Sequence, residues 1–353
     1  MQSHTALLAS SIALTCAGCQ SLDRPVGLTP AARASMSASG FVLDSTIVLT
    51  STRDDPTANP LLAAEIYLLD SAGSSPRRLT NNPWGDAFPS LSPDGKKIVF
   101  DSNRLRLDSE PLNTSDLFVM NTDGSEQTFL ARGSSASWSP DSKWISYHAS
   151  ASGTGLPIKP DPGAATFDSD IFVANVDELI AGSATPLNLT QSSSKIDDDP
   201  AWSPDGRRIV FTSHDVTDNQ TNSVTTEIYV MNTDGTGLTR LTFNGEEERG
   251  PSWSPDGTKI VFSCRRGGPD FELCLMNADG SGQVQLTDND AGDLTASFSP
   301  DGTKILFHRT GGPQQLFTIK SDGSGETRLT GPPGINLLAS WGLLRTHVTK
   351  PRD

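Results

Sequence analysis

The most informative segment of this 353-residue chain reads Trp253-Ser254-Pro255-Asp256-Gly257-Thr258-Lys259-Ile260-Val261-Phe262. The same order of an aromatic residue or leucine, Ser-Pro-Asp and an apolar run occurs four more times. The five copies begin at Leu91, Trp138, Trp202, Trp253 and Phe298, so successive copies are 47, 64, 51 and 45 residues apart. Self-similarity at a spacing of about 20–50 residues is typical of repeat architectures. We therefore expect a fold built from structural repeats.

Each repeat carries signals for four short strands. Strand A ends at the aromatic residue, a Pro-Asp-Gly turn follows, and the β-branched and aromatic run after it is strand B. A second motif, such as Glu227-Ile228-Tyr229-Val230-Met231-Asn232-Thr233-Asp234-Gly235, supplies an apolar strand C and an Asp-Gly turn. A third motif, such as Arg240-Leu241-Thr242, supplies a short strand D. Four antiparallel strands in about 45 residues form the blade of a β-propeller.

The two ends of the chain set the expected number of blades. Strands B, C and D of a first blade are indicated by Thr46–Ser51, Glu65–Leu69 and Arg78–Thr80, but no strand A precedes them. The missing strand is found at the other end of the chain, at Leu338-Ala339-Ser340-Trp341. The sequence thus predicts an all-β fold over residues 44–349, a six-bladed β-propeller of four-stranded antiparallel blades. Its first blade would be closed by the C-terminal strand, which removes an exposed edge.

These repeats resemble the propeller repeats of the TolB family (PD40, WD40-like), and the resemblance covers residues 44–342. The resemblance implies the propeller fold more strongly than it implies a function, because such propellers occur in unrelated proteins. No counterpart of the α/β domain that precedes the propeller in TolB is recognised in this sequence. Similar repeats precede the hydrolase domain of prolyl-oligopeptidase-like enzymes, but the chain contains no Gly-x-Ser-x-Gly motif.

The N-terminus resembles a bacterial lipoprotein signal. An apolar segment, Ala6–Leu14, is too short to span a bilayer and is followed by Thr15-Cys16-Ala17-Gly18-Cys19. We expect residues 1–18 to be the signal peptide, Cys19 the lipid anchor and residues 19–43 a flexible tether rich in Ser, Ala and Pro. The basic segment that usually opens such a signal is missing, so a frayed apolar N-terminus is the alternative. The expected location is the periplasm or cell surface, with membrane contact only through the lipid.

Charge and cysteine content narrow the class of partner. The formal net charge is −15, from 27 Lys and Arg against 42 Asp and Glu, and a chain of this charge without a basic cluster repels phosphate backbones. Nucleic acid is therefore excluded as the main partner. Cys264 and Cys274 flank a turn between two predicted strands, and either a disulfide or two free thiols fits that placement.

Candidate binding residues lie at the expected mouth of the central channel. Just before each inner strand A stands one of Asp86, Asp197, Glu248, Asp293 and Asn336, with Gly133 in the third repeat. On the same face we expect four long loops between strands B and C, at residues 53–64, 103–115, 149–169 and 215–225. An acidic ring there would bind Ca²⁺ or a basic partner segment. The alternative is that each carboxylate bridges its own inter-blade loop.

The residues favour binding over catalysis. The chain distantly resembles propeller lyases that use several histidines around one metal ion, but it has only five histidines. We place His148 and His308 on opposite sides of the ring, so we predict no catalytic residues, no metal site and no enzymatic activity. The preferred hypothesis is a monomeric, non-enzymatic binding module for an envelope protein or peptide, without a cofactor. The alternative is a carbohydrate-binding or oligosaccharide-lyase-like propeller.

Overall fold

The computed structural model describes residues 41–55, 64–106, 115–150, 169–192, 195–215 and 225–347. The predicted signal peptide, Cys19 and nearly all of the tether lie outside these residues, as do the central parts of the four long loops. Twenty-four strands, β1–β24, and one short helix, α1, are found in the described part of the chain. None of the helices described there is long and apolar enough to cross a membrane.

Four antiparallel sheets of four strands each form blades of a β-propeller. The first blade contains, from the inside outward, β24 (Asn336–His347), β1 (Phe41–Ser51), β2 (Glu65–Asp70) and β3 (Arg77–Arg78). The second contains β4 (Asp86–Leu91), β5 (Lys97–Ser102), β6 (Asp116–Asn121) and β7 (Thr128–Arg132). The third contains β16 (Glu248–Trp253), β17 (Lys259–Cys264), β18 (Glu272–Asn277) and β19 (Val284–Gln285). The fourth contains β20 (Asp293–Phe298), β21 (Lys304–Arg309), β22 (Gln315–Lys320) and β23 (Thr327–Arg328).

The remaining eight strands form one continuous sheet, which we call the double sheet. Its strands are β8 (Ser134–Trp138), β9 (Trp144–Ser150), β10 (Ser169–Asn175), β11 (Leu187–Asn188), β12 (Lys195–Trp202), β13 (Arg208–Asp215), β14 (Glu227–Asn232) and β15 (Thr239–Arg240). The helix α1 (Val176–Ile180) replaces the tight turn between β10 and β11, and the Asn175 side chain caps its first turn.

The prediction of six separate four-stranded blades is wrong, because the structure has four such blades and the double sheet. The difference arises where β10 and β12 meet in a parallel pair at Ser169 and Ile196. The Ser169 hydroxyl donates hydrogen bonds to the Asp197 carbonyl (3.1 Å) and the Asp198 carboxylate (2.9 Å), which ties the two halves together. The four-stranded antiparallel blade and its closure by the C-terminal strand agree with the prediction: β24 pairs antiparallel with β1 along nearly its whole length.

The Ser-Pro-Asp motif builds the turn between strands A and B through its side chains. In the third blade, the Ser254 hydroxyl donates to Asp256 (2.6 Å) and accepts the amide of Lys259 (2.9 Å). The hydrogen bond from Ser254 lowers the pKa of the Asp256 carboxyl. The fourth residue of the turn has positive φ, as at Gly257 (φ 72°). Serine and aspartate are thus fixed by the turn itself.

Hydrophobic clusters join neighbouring sheets into the ring. The described residues form six clusters, five of them between adjacent sheets and one inside the double sheet, where β10 and β11 pack over β12, β13 and β14. Indole groups add polar links: Trp138 Nε1 donates to the Ser90 carbonyl of the second blade (3.0 Å), and Trp253 Nε1 donates to the Ala201 carbonyl of the double sheet (3.2 Å). These tryptophans are core residues between sheets.

Candidate functional site

A central cavity of about 840 Å³ is lined by the inner strands of all five sheets. Each inner strand carries a β-bulge, and one residue of every bulge lies in the left-handed backbone region. These residues are Phe88, Ser135, Asp199, Gly250, Thr295 and Leu338, with φ between 48° and 56°. All six line the cavity. The bulge therefore determines which residues of the inner strands reach the central space.

The five residues expected at the channel mouth lie just before these bulges and do not line the cavity. Asp86, Glu248, Asp293 and Asn336 are fully buried, and Asp197 is 2% exposed. Gly133, the sixth member, does line it. The structure therefore distributes the predicted residues among the sheets, where four of them bind side chains at strand ends or in the connections between blades.

Arginine side chains neutralise three of the buried acids. Arg309 makes two hydrogen bonds with Asp293, from Nε (2.7 Å) and from Nη2 (2.8 Å). These bonds raise the pKa of Arg309. Arg104 binds Asp86 at 3.1 Å, and Arg266 binds Glu248 at the same distance.

The fourth member of this arrangement is an amide. Asn336 accepts a hydrogen bond from Arg53 (3.0 Å) through its side-chain oxygen and donates to Gln315 (3.0 Å). The same oxygen accepts the Ser51 hydroxyl at 2.8 Å. Asp86, Glu248 and Asp293 each also bond an asparagine four residues earlier. The four residues thus bridge strand ends and the connections that precede them.

Asp197 differs from the other four because no arginine of the described residues pairs with it. Its Oδ1 atom is buried and has no hydrogen-bond partner. Burial, with smaller contributions from the nearby Asp170 and Asp198, raises the pKa of Asp197 to about 6, against the lowering effect of hydrogen bonds with Ser213 and Thr190. A buried carboxylate without a cation is electrostatically costly. This sector of the ring therefore holds excess negative charge.

Two more aspartates extend this charge into the cavity. Asp198 and Asp199 both line the cavity, together with His148 and His214. His148 Nδ1 lies 3.7 Å from Asp198 Oδ1. Burial raises the pKa of Asp199, and the Asp198 charge adds to this effect. Burial lowers the pKa of His214, which favours its neutral form.

A third charged feature of the lining is Arg249, which belongs to the next blade. It forms an ion pair with Glu247, and Glu247 also binds Arg265 at 3.1 Å. The guanidinium groups of Arg249 and Arg265 both lie over the Phe271 ring, 5.2 and 4.7 Å from its centre. The cavity is thus acidic on the double sheet and basic at one neighbouring position.

A buried carboxylate below the cavity wall joins the second blade to the double sheet. Asp101 accepts hydrogen bonds from the Ser134 hydroxyl and the Ser115 hydroxyl (3.3 Å), and burial raises its pKa to about 7. Ser115, Ser134 and Ser135 line the cavity above it. Asp101 therefore helps to position three serines of the cavity lining through hydrogen bonds.

Sequence reasoning missed a second set of buried polar groups, at the start of strand C. Glu272 accepts the Thr287 hydroxyl (2.6 Å) and the amide of Asn289 (2.7 Å), which holds the connection to the next blade. Gln315 accepts the Thr330 hydroxyl in the same way. A usable signal was present, since a Glu or Gln precedes the threonine of the Leu-Thr motif by 15 residues at Glu65, Glu227, Glu272 and Gln315.

Cys264 and Cys274 are joined in a disulfide, with their Cα atoms 5.9 Å apart. The bridge connects β17 and β18 inside the third blade, and both residues are buried. It lies within the hydrophobic cluster between the double sheet and the third blade. Of the two arrangements that the sequence allows, the structure has the oxidised one.

The histidines do not assemble into a metal centre in the described ranges. No group of three or more His, Cys, Asp or Glu residues there is arranged to hold a metal ion. His308 is buried in β21, where burial lowers its pKa to about 4. His148 and His214 line the same cavity.

Comparison with known proteins agrees with this architecture. The family model described as TolB beta propeller domain (PD40) matches residues 164–345, just over half of the chain. The chain belongs to this TolB propeller family. The crystal structure of TolB from Acinetobacter baumannii superposes with a TM-score of 0.64 over 88% of this chain and 71% of that chain, at 18% identity. At this identity the likeness concerns the fold alone.

Two curated relatives are more limited matches. An uncharacterized protein of Agrobacterium fabrum is 28% identical over 205 residues, which cover 56% of this chain and 60% of that protein. Dipeptidyl-peptidase 5 of Porphyromonas gingivalis is 37% identical over 68 residues, 19% of this chain and 10% of the enzyme. The chain therefore spans less than two thirds of the length of either relative.

Proposed function

We propose that this TolB-like propeller is a non-enzymatic binding module of the bacterial cell envelope, which takes a protein or peptide segment at its central cavity. The observation that carries the proposal is the uneven lining of that cavity. Small residues and backbone from every inner strand form its wall, whereas its charged groups are concentrated on the double sheet and at Arg249. A rigid concave site with a few directed polar groups is typical of ligand recognition.

An exposed apolar group beside the cavity favours a polypeptide ligand. Trp84 precedes β4, Phe88 lies within it and Leu105 follows the neighbouring β5, so all three stand at one end of the second blade. Their side chains are 45%, 36% and 46% exposed. Exposed apolar residues next to a polar cavity are typical of protein interaction sites. A peptide carries apolar side chains for the exposed residues and polar groups for the cavity.

Carbohydrate binding is less well supported. Aromatic platforms for sugar rings must be exposed, and Trp138, Trp202 and Trp253 are buried between sheets, which leaves Trp84 as the exposed tryptophan of the described residues. Phe88 is the single aromatic side chain in the cavity lining of the described residues. For this reason we favour a peptide over a glycan.

The disulfide supports a location outside the cytoplasm. Buried structural disulfides persist in oxidising compartments and are rare in reducing ones. We therefore place the protein in the periplasm or at the cell surface, as a monomer tethered through a lipid on Cys19. Radiolabelled palmitate should enter the wild-type protein and fail to enter a Cys19→Ala variant. Equal labelling of both would contradict the anchor.

Site-specific photo-crosslinking tests the binding role. A photoreactive amino acid at position 88, in the cavity wall, should capture one defined envelope polypeptide in the living bacterium. The control position is Thr258, which is exposed in a turn at the opposite end of the strands. Capture at position 88 but not at 258 would support the proposal. Equal capture at both positions, capture of polysaccharide only, or no capture would contradict it.

A further inference from the structure

A repeated arginine position points to the chemistry of the ligand. In three sheets, the buried polar residue that opens strand A is paired in register with a residue at the end of strand B. The chain has an arginine two residues after that pairing partner. These arginines are Arg53, Arg104 and Arg266, and they bind Asn336, Asp86 and Glu248. The fold thus contains a site in which a guanidinium group meets a strand-A side chain.

The double sheet has an aspartate at this position. Asp197 is paired in register with Ser213, and the residue two positions later is Asp215. Asp215 binds Lys195 (2.9 Å), whose ammonium group lies 5.8 Å from the centre of the Tyr229 ring. Lys195 is therefore shared: it is hydrogen-bonded to Asp215 and also interacts electrostatically with Asp197, which has no arginine partner in the described ranges.

Two buried polar atoms support a missing ligand, and one of them belongs to a residue outside the acidic group. Asp197 Oδ1 has no hydrogen-bond partner, and neither does the Oγ atom of Ser263, a fully buried residue of the cavity lining. Buried polar atoms are almost always hydrogen-bonded in folded proteins. A donor group bound in the cavity would satisfy the Ser263 oxygen at the cavity wall.

The groups that face the acidic wall leave it negative. His148 lies 3.7 Å from Asp198, and Arg249, which interacts electrostatically with Asp199, also forms an ion pair with Glu247. Within the described ranges, no lysine or arginine forms an ion pair with Asp198 or Asp199. The wall therefore places the carboxylates of Asp198 and Asp199 in the cavity lining, with the carboxylate of Asp197 buried behind them.

We propose that this acidic wall of the double sheet, formed by Asp198 and Asp199 with Asp197 behind them, binds an arginine or lysine side chain of the partner polypeptide. The inference rests on the proposed function and adds to it the chemistry of the bound residue. The partner's cation would replace the arginine that the other sheets supply from their own chain. A guanidinium group fits best, because the fold already pairs guanidinium with this position in three sheets.

A pair of small probes tests the inference without knowledge of the partner. N-acetyl-arginine methylamide carries the cation, and its citrulline counterpart has nearly the same shape without the charge. In an NMR titration, the arginine probe should shift the Asp198 and Asp199 amide signals saturably, with an affinity about tenfold or more above that of citrulline, because hydrogen bonds between charged groups are the stronger ones. Equal affinities would overturn the inference. Stronger effects of CaCl₂ on the same amides would instead indicate a metal site and would also overturn it.

Substitutions distinguish specific binding at the acidic wall from nonspecific electrostatic attraction to the protein. Asp215→Arg restores the arginine of the other sheets and should weaken arginine binding about tenfold while the melting temperature is kept or raised. Asp198→Asn with Asp199→Asn should weaken it as much, whereas Asp322→Asn, which removes an exposed turn charge, should leave it unchanged. Wild-type affinity in Asp215→Arg would contradict the inference. If arginine binds but position 88 captures no partner, the cation site stands and the proposed function fails; the reverse result refutes only the cation site.

Discussion

At the scale of single residues, the buried position that opens strand A holds an arginine-bound carboxylate in one sheet and a carboxylate without an arginine in another. Asp293 is buried against the two hydrogen bonds of Arg309, whereas Asp197 is buried with one oxygen unpartnered. Removal of one partner from a buried ion pair costs about 3–5 kcal/mol, because the other charge is left uncompensated. Removal of an unpaired buried charge should instead relieve a penalty. The two positions therefore respond in opposite directions to the same substitution.

Asp197→Asn should stabilise the protein in a pH-dependent way. The pKa of Asp197 rises from 3.8 to about 6 on folding, so the folded state binds more protons than the unfolded state between these values. Stability is therefore lost as the pH rises through about 6, and the variant avoids that loss. We expect a gain on the order of 2 kcal/mol at pH 8 and almost none near pH 4.

Urea unfolding of wild type and variant at both pH values measures this difference. Asp293→Asn is the matched control, and it should lower the free energy of unfolding at pH 8 because Arg309 loses the buried one of its two carboxylate partners, Asp293 and Glu326. If Asp197→Asn changed stability equally at pH 4 and pH 8, the raised pKa would not be the cause.

At the scale of strands, the third blade substitutes a disulfide for an aromatic pair. Facing positions in strands B and C hold Phe100 with Phe118, Tyr147 with Phe172, Phe211 with Tyr229, and Phe307 with Phe317. In the third blade the position that faces Phe262 is Cys274, which is bonded to Cys264. The covalent link thus joins β17 and β18 where the aromatic contact is missing.

Cys264→Ala with Cys274→Ala should destabilise the third blade. The bridge closes a loop with a sequence separation of 10, and a crosslink of this size contributes about 3 kcal/mol by restricting the unfolded chain. Denaturant unfolding under oxidising conditions should show this loss. Dithiothreitol should lower the stability of the wild type and have no effect on the variant. Equal stabilities of wild type and variant under oxidising conditions would refute a structural role.

The strands themselves were predictable from the sequence, whereas the cavity lining was not. Turn and strand motifs such as Ser254-Pro255-Asp256-Gly257 depend on local interactions, so their pattern is visible in the chain. The bulge that turns Asp199 toward the cavity and leaves Asp197 buried depends on the pairing of β12 with β13. Glycine would have signalled positive φ, but it occupies only Gly250 among the six bulge positions. The position before strand A therefore identified Asp197 and its equivalents, whereas the residues that line the cavity lie two positions later, at the bulge.

At the scale of the whole molecule, closure depends on contacts that are distant in the sequence. The double sheet arises from one parallel pair, Ser169 with Ile196, which no local motif encodes. Closure of the first blade by the C-terminal strand was easier to predict. The sequence of β24 retains the inner-strand pattern of the repeat, and no matching strand A precedes β1. Between them, β24 and β1 hold the ring together: β24 pairs with β1 and also packs beside β4 and β21.

Removal of β24 should therefore unfold the ring as a unit. A chain that ends at Gly334 leaves the long edge of β1 unpaired and uncovers the apolar residues Ile47 and Leu49, which pack with Ala339. An unpaired apolar edge strand favours aggregation. We expect the truncated protein to lose cooperative thermal unfolding and the monomer peak in size-exclusion chromatography, because the lost contacts are comparable to a whole free energy of unfolding, about 5–15 kcal/mol. A chain that ends at His347 keeps all of β24 and should behave as wild type. A monomeric, cooperatively unfolding protein without β24 would show that the blades are stable without closure.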